Sequence, residues 1–474
     1  MVSISPSEAG APERAPRLDK FYLAAWRWHF YAGLYVIPFL VMLAATGLVM
    51  LWISVLAGRD GERIAITPGV APLAVSTQAE AAAAALPGGI VTGYIAPAAA
   101  DQAALFRVSL GEETTLVAVD PFTTALIDSH PYRAGWYDLV SKIHGTLLLG
   151  SLGDRLIEIA ASLGIVLVVT GLYLWWPRQG GLAAAFVPRL SARGRGWWKS
   201  LHSTVGVWIS LILVAFLVSG LSWAGIWGER FVQAWSTFPA EKWDAVPLSD
   251  KTHASMNHGG AKEVPWALEQ TPMPASGSHA GHAGPGGATA LAEGAVGIDS
   301  IVALARSLGF AGRFQLAAPK GDTGVWTISR DSMSNDSADP TSDRTVHVDQ
   351  YTGLVLADVA YADYSVYGKA MAVGIALHEG DLGAWNVALN TLFCLGVIFV
   401  AVSGVVMWWK RRPTGAGRLA APPPPRDMPV WKAAVGLGLI VSIAFPLAGL
   451  AILAALLIDA LLLPRLPAVK RLVS

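Results

Sequence analysis

Four apolar runs, each long enough to cross a lipid bilayer, constrain this chain more than any other feature. They occupy residues 28–56, 154–176, 200–227 and 385–409, and a hydrocarbon core about 30 Å thick needs roughly 20 apolar residues in helical form. Inside a bilayer a lone segment satisfies its backbone only as a helix, so each run predicts a spanning helix. A fifth apolar region, 430–463, is interrupted by Pro446 and Gly449 and reads as a hairpin of two helices. The first run follows Arg14, Arg17, Lys20 and Arg27 and is too long for a cleavable signal core, so it is expected to stay. Composition points the same way: mean hydropathy is +0.47, and charged residues are 14% of the chain, against about 25% in ordinary soluble domains. The net charge of zero and the lack of a basic block give no basis for nucleic-acid binding. The one cysteine, Cys394, lies in an apolar run, which excludes a disulfide framework and a cysteine metal cage.

Charge orients the spans. Between Pro177 and Lys199 stand Arg178, Arg189, Arg193, Arg195 and Lys199 with no acid, and 410–432 carries six basic residues against Asp427 alone. Such loops face the cytoplasm. The expected order is a cytoplasmic N-terminus (1–27), a first span (28–56), a periplasmic segment (57–137), then a short helix and the second span (138–176). A cytoplasmic loop (177–199), the third span (200–227), a second periplasmic segment (228–366), and a short helix with the fourth span (367–409) follow. A cytoplasmic loop (410–429), the hairpin (430–463) and a cytoplasmic tail (464–474) complete it. The expected location is a bacterial inner membrane, crossed several times, with both termini cytoplasmic.

The chain also repeats itself. "VVTGLYLWWPR" ends at Arg178 and "VAVSGVVMWWKRR" at Arg412, each an apolar run with a Thr-Gly or Ser-Gly, a Trp pair and then positive charge. Each periplasmic segment holds one α+β pattern: "TQAEAAAAAL" before "LFRVSL" and "TTLVAVDPFTTALID", and "IDSIVALARSLGF" before "GVWTISR" and "RTVHVDQYTGLVLAD". The predicted fold is a mostly α membrane protein, a four-helix core bundle built as two repeats plus a C-terminal hairpin, with two small α+β modules on the periplasmic side. Between 238 and 296 the second segment is rich in Gly, Pro, Ala, Ser and His and reads as a mobile loop.

Four of the ten histidines occupy matched places. His29 precedes Thr46-Gly47 as His202 precedes Ser219-Gly220, and each has a glycine four residues on, Gly33 and Gly206. Toward the other face, His144 and His378 precede Trp175 and Trp408 by about 30 residues, with Gly150 and Gly153, or Gly380 and Gly383, expected to break the helix between. Two histidines near each face are what two bis-histidine haems require, with the glycines leaving room for a flat macrocycle. A histidine at a helix end also serves as a polar anchor, but four ionisable groups at repeated intramembrane positions favour a functional role.

These residues carry a resemblance. "WHFYAGLY…AATGL", "LHSTVGVW…LVSGL", "LHEGDLG", both WW exits and the "VDPFTT" and "VDQYTG" strands are similar to the PepSY-associated transmembrane family, and within it to inner-membrane ferric-siderophore reductases, over about residues 20–413. The resemblance implies two b-type haems held by His29, His144, His202 and His378, electron transfer across the membrane, and reduction of ferric iron on a siderophore or other metal chelate. It leaves the pairing of the histidines open. Thr124 stands where the second module has Gly353, so the first turn is expected to be altered. No dinucleotide fingerprint is present, so the electron donor is a quinol, a cytoplasmic reductase or a source that the sequence does not show.

The insert adds a different possibility. His253, Met256, His258, Met273, His279 and His282 combine imidazole and thioether donors suited to copper, or belong to a solvated low-complexity loop. A copper-handling membrane protein, and a scaffold that binds or inhibits a periplasmic protease, therefore stand as alternative functions. Of the remaining groups, His130 reads as surface, His347 as a structural strand residue, and Glu158 as a partner of Arg155, a hydrated acid or a tuning charge.

Overall fold

The computed structural model describes residues 20–59, 63–178, 181–232, 246–258, 263–277, 296–412, 419–422 and 432–458, with Leu461, Arg465 and Leu466. The chain begins with α1 (Lys20–Leu56), then α2 (Val75–Ala84) and four strands, β1 (Ile90–Ile95), β2 (Ala104–Leu110), β3 (Glu113–Val119) and β4 (Leu126–Pro131). A short α3 (Trp136–Thr146) leads into α4 (Ser151–Trp175), and a single turn, α5 (Leu182–Ala185), precedes α6 (Arg195–Leu221). The second polar segment holds β5 (Leu248–Thr252), β6 (Pro272–Pro274), α7 (Ile298–Ser307), β7 (Gln315–Ala317), β8 (Val325–Arg330), β9 (Arg344–Asp349) and β10 (Val355–Ala360). Then come α8 (Val366–Glu379), α9 (Ala384–Arg411), α10 (Lys432–Ala444) and α11 (Pro446–Leu457). Among the described residues α1, α4, α6 and α9 are long and apolar enough to cross a membrane. Two compact units are made of Met1–Pro38, Ser162–Ser210 and Val402–Ser474, and of Phe39–Ala161 and Leu211–Ala401.

Within the second unit eight of the ten described strands, four from each polar segment, join one antiparallel sheet in the order β10-β9-β8-β7-β1-β2-β3-β4, and β5 and β6 form a second. Separate modules were the expectation; instead Gly93, Tyr94 and Ile95 of β1 pair with Ala317, Leu316 and Gln315 of β7. Strand side chains alternate between faces. Tyr94, Phe106, Val117, Leu316, Ile328 and Val346 point to the face covered by α2 and α7, where Ile301, Leu304 and Phe310 close the core.

The 238–296 insert is not uniformly a loose loop. Val246 and Leu268 are buried against Ala357 and Val359 of β10 and Ala372 of α8, and β5 pairs with β6. Average composition hides these few apolar residues, each of which stabilises its docking by about 1.5–3 kcal/mol when fully buried. The rest of the insert lies outside the described residues.

The two "VD" turns are alike, against the expectation of an altered first turn. Asp120 Oδ1 accepts from the amides of Phe122 (2.8 Å) and Thr123 (3.3 Å), and Asp349 Oδ1 from those of Tyr351 (2.9 Å) and Thr352 (2.8 Å). Thr124 takes φ +60° where Gly353 takes +70°. The threonine adopts the left-handed conformation because the Asp cap and the flanking strands impose it.

The chain also breaks ahead of two long helices. After α3, Leu147, Leu148 and Gly150 all have positive φ, and after α8 so do Gly380 and Gly383. At Gly153 an added Cβ would lie 1.7 Å from the Thr146 carbonyl oxygen, so only glycine fits where α4 starts back past α3.

Candidate cofactor site

The four matched histidines form two groups, one in each unit. In the first, His29 and His202 face each other with ring centres 6.4 Å apart and planes at 84°. His29 Nδ1 lies 3.1 Å from both the Leu167 carbonyl and Thr170 Oγ1, and His202 Nδ1 lies 2.9 Å from Ser403 Oγ. In the second, His144 Nδ1 is 2.8 Å from Thr46 Oγ1, and His378 Nδ1 is 2.8 Å from Ser219 Oγ. The Phe216 ring stacks on His378 at 4.2 Å.

The hydroxyls have one role in common. Thr46 donates its own proton to Met42 O (2.7 Å), Ser219 to Phe216 O (3.1 Å) and Thr170 to Val166 O (2.8 Å). Each oxygen is then an acceptor, so the histidine donates from Nδ1 and its Nε2 keeps a bare lone pair. Burial, and for His378 the nearby His144, hold the rings of His144 and His378 well below the ordinary histidine range, so both are neutral. Neutral imidazole with Nδ1 tied back is the state that ligates iron.

That donor set fits haem. Two imidazoles on one metal, each about 2 Å from it, place their ring centres roughly 6 Å apart, the separation found for His29 and His202. A Cβ on Gly171 would lie 3.1 Å from His29 Cε1, one on Gly404 3.5 Å from His202 Cε1, and one on Gly47 3.8 Å from His144 Cε1. Each of these glycines follows the hydroxyl residue that fixes the same ring. An added Cβ on Gly206 would meet no described atom within 4 Å, whereas one on Gly33 would lie 3.6 Å from Leu167 Cδ1, in helix packing.

Two features escaped the sequence reading. Asn386 and Asn390, one turn apart in α9 and fully buried, both donate to Leu377 O (2.9 and 2.8 Å), and Asn390 also donates to His378 O (3.0 Å). They cap the end of α8 and fix the backbone of His378. Asparagine pairs four apart in a spanning run are the signal that was available. Next to them the buried Arg59 donates to Glu379 Oε2 (2.6 Å), Asp381 Oδ2 (3.0 Å) and Met333 O (2.6 Å), with its guanidinium over Tyr137. Burial pushes Asp381 up, to about 7, against the pull of Arg59.

The described members of the expected copper set divide between two places. His253 turns inward against His347, while His258 Nδ1 is 2.6 Å from Glu263 Oε2 and its ring packs on Tyr132. Burial opposes ionisation of Glu263, but the His258 bond and the Arg133 charge bring its pKa down to about 2. Met273 Sδ accepts from Ser255 Oγ at 3.7 Å, and His279 and His282 lie outside the described residues. Among the described residues no three His, Cys, Asp or Glu side chains are grouped to hold a metal. Glu158, buried, accepts from Arg155 (3.5 Å) and from the Ile226 amide (3.1 Å), and His130 pairs with Asp128 at the surface.

A family model described as the PepSY-associated TM region matches residues 26–411. No curated protein matches the chain.

Proposed function

Because the chain belongs to the PepSY-associated transmembrane family, we propose that it is a di-haem inner-membrane reductase that delivers electrons to ferric iron, carried by a siderophore or similar chelate, in the periplasm. The observation that supports this best is the fourfold repetition of one device: a histidine whose Nδ1 is held by a Thr or Ser hydroxyl followed by glycine. At His29, His144 and His378 the hydroxyl gives its own proton to a backbone carbonyl, so three of the four share one tautomer, which a structural anchor does not need and metal ligation does.

In this reading His29 and His202 hold one haem and His144 and His378 the other, the two halves of the bundle being repeats. Bound haem supplies a one-electron carrier whose potential follows its axial ligands and burial. The chain's own groups do the rest. Thr170, Ser403, Thr46 and Ser219 fix ring orientation, Phe216 shields His378, and Asn386 and Asn390 hold the α8 end. Arg59, with Glu379 and Asp381 beside His378, links that site to Met333 in the sheet-bearing segment, the side on which a ferric chelate would dock. Reduction suits iron release because hard oxygen ligands hold Fe(II) less firmly than Fe(III). Donor candidates are a quinol or a cytoplasmic reductase.

The purified protein is expected to show a Soret band and, on dithionite reduction, α bands from two centres. His144→Ala or His378→Ala should remove about half the haem and spare the centre at His29 and His202. A spectrum without a Soret band would sink the proposal.

A further inference from the structure

The sheet face opposite α2 and α7 carries polar side chains under cover. Arg107, Thr327, Thr345 and His347 are all buried there, beneath the segment that bears His253. His253 and His347 meet head to head, Nε2 to Nε2 at 2.9 Å, and are 1% and 0% exposed. His253 Nδ1 is 2.9 Å from the Thr271 carbonyl, which only accepts, so Nδ1 carries the proton and Nε2 a bare lone pair. His347 therefore donates through Nε2, and its Nδ1 accepts from Thr327 Oγ1 at 3.0 Å. Beside the pair lies a cavity of about 40 Å³ lined by His253, Met256, Glu263, Asp331, Arg107 and Thr345. Two buried polar atoms on its wall, Thr345 Oγ1 and Arg107 Nε, have no hydrogen-bond partner.

We propose that His253 and His347 form a binding site for a soft monovalent cation, Cu(I), with the thioether of Met256 as a third donor. Imidazole and thioether together favour that ion, and two nitrogens suit the low coordination of a d10 monovalent metal, whereas structural zinc takes four ligands. The cation takes the place of the proton shared by the two Nε2 atoms. That proton moves to His347 Nδ1, which then donates to Thr327 Oγ1 once the hydroxyl turns, so no proton is lost and no redox change occurs. The nitrogens must part from 2.9 Å to about 4 Å, two metal–nitrogen bonds of about 2 Å each. The adjoining cavity gives the His253 ring that space, and the Glu263 carboxylate stands on its wall. Thr271 and Thr327 act as the outer partners that orient ligating imidazoles. The site stands independently of the haem reading.

The test uses the full-length protein with His279→Ala and His282→Ala, so that the insert histidines do not compete. Cu(I) titrated against a chromogenic chelator should show one tight equivalent, and His347→Gln or His253→Gln should weaken it at least about tenfold, a change of about 1.4 kcal/mol. X-ray absorption at one equivalent, on the form with both site histidines intact, should show two imidazole nitrogens and one sulfur. That measurement does not depend on the folding of a variant. Affinity unchanged in both Gln variants, no tight equivalent, or coordination without imidazole would each overturn the assignment.

Discussion

At the residue scale the hydroxyl-glycine pairs carry the most consequence. Ser403→Ala removes the hydroxyl 2.9 Å from His202 Nδ1, and loss of such an outer partner reduces metal affinity or activity about 10–100-fold. The expected result is lower haem retention through purification, with the His144–His378 centre preserved. Ser210→Ala is the control, because Ser210 bonds only to the carbonyl of Val207, three residues back in its own helix (2.8 Å), and should leave retention unchanged. A second substitution tests the sheet. Thr124 holds φ +60°, where a β-branched residue is strained by about 1–2 kcal/mol, and its half-buried side chain bonds only to the neighbouring Thr123 carbonyl. Thr124→Gly should therefore raise the melting temperature, since the strain relieved exceeds glycine's extra chain entropy by up to about 1.5 kcal/mol, and a lower melting temperature would contradict this account of the turn. The histidines themselves were legible, since four ionisable residues at repeated distances stand out in an apolar chain. The partners were not: Thr170 and Ser403 appeared in the quoted endings, but nothing local says that a hydroxyl in one helix meets a ring in another.

Elements differ in how they respond to pH. His253 and His347 are neutral in the folded protein because burial, reinforced for His347 by its partner, pushes both down, His253 to about 4. Unfolded histidine titrates near 6.5. The unfolded chain thus binds more protons than the folded one below pH 6.5, and stability falls as pH drops from 6.5 toward 4, by roughly 3 kcal/mol for His253 alone. Urea melts across that range should show the loss, and a His253→Gln/His347→Gln double variant should flatten it. In α9, Asn390→Leu takes the side-chain donor from His378 O, while Leu377 O keeps its bond from Asn386, and one buried carbonyl left unsatisfied costs about 1–3 kcal/mol. The signature is a destabilised His378 centre with an unchanged spectrum at the other. The long helices were readable from hydropathy because the bilayer sets their length. The joining of all eight strands was not, because the β1–β7 pairing rests on three residues a side, more than 200 positions apart. Nor could His347 be read as more than a strand residue while its partner sat in a segment whose composition resembled a loop.

At the scale of the whole molecule, charge sets the direction in which electrons would have to flow. Residues 177–199 hold five basic side chains and no acid, and 410–432 hold six against one acid, an excess that keeps such loops on the cytoplasmic side. On the orientation proposed here the sheet-bearing segments would face the periplasm, as would the end of α8 where Arg59 joins Glu379 and Asp381. This orientation can be tested with a clean background, because the one native cysteine, Cys394, is buried. Arg193→Cys and Ala338→Cys both place a thiol at an exposed position, the first in a basic loop and the second between β8 and β9. A membrane-impermeant maleimide added to intact spheroplasts should label residue 338 at once and residue 193 only after lysis. The reverse pattern would put the His29–His202 pair toward the periplasm and make ferric-chelate reduction at the sheet-bearing side untenable. Equal labelling before lysis would mean that the basic loops do not fix a single topology. Only the first outcome lets an internal donor and an external ferric chelate meet opposite ends of the same four helices.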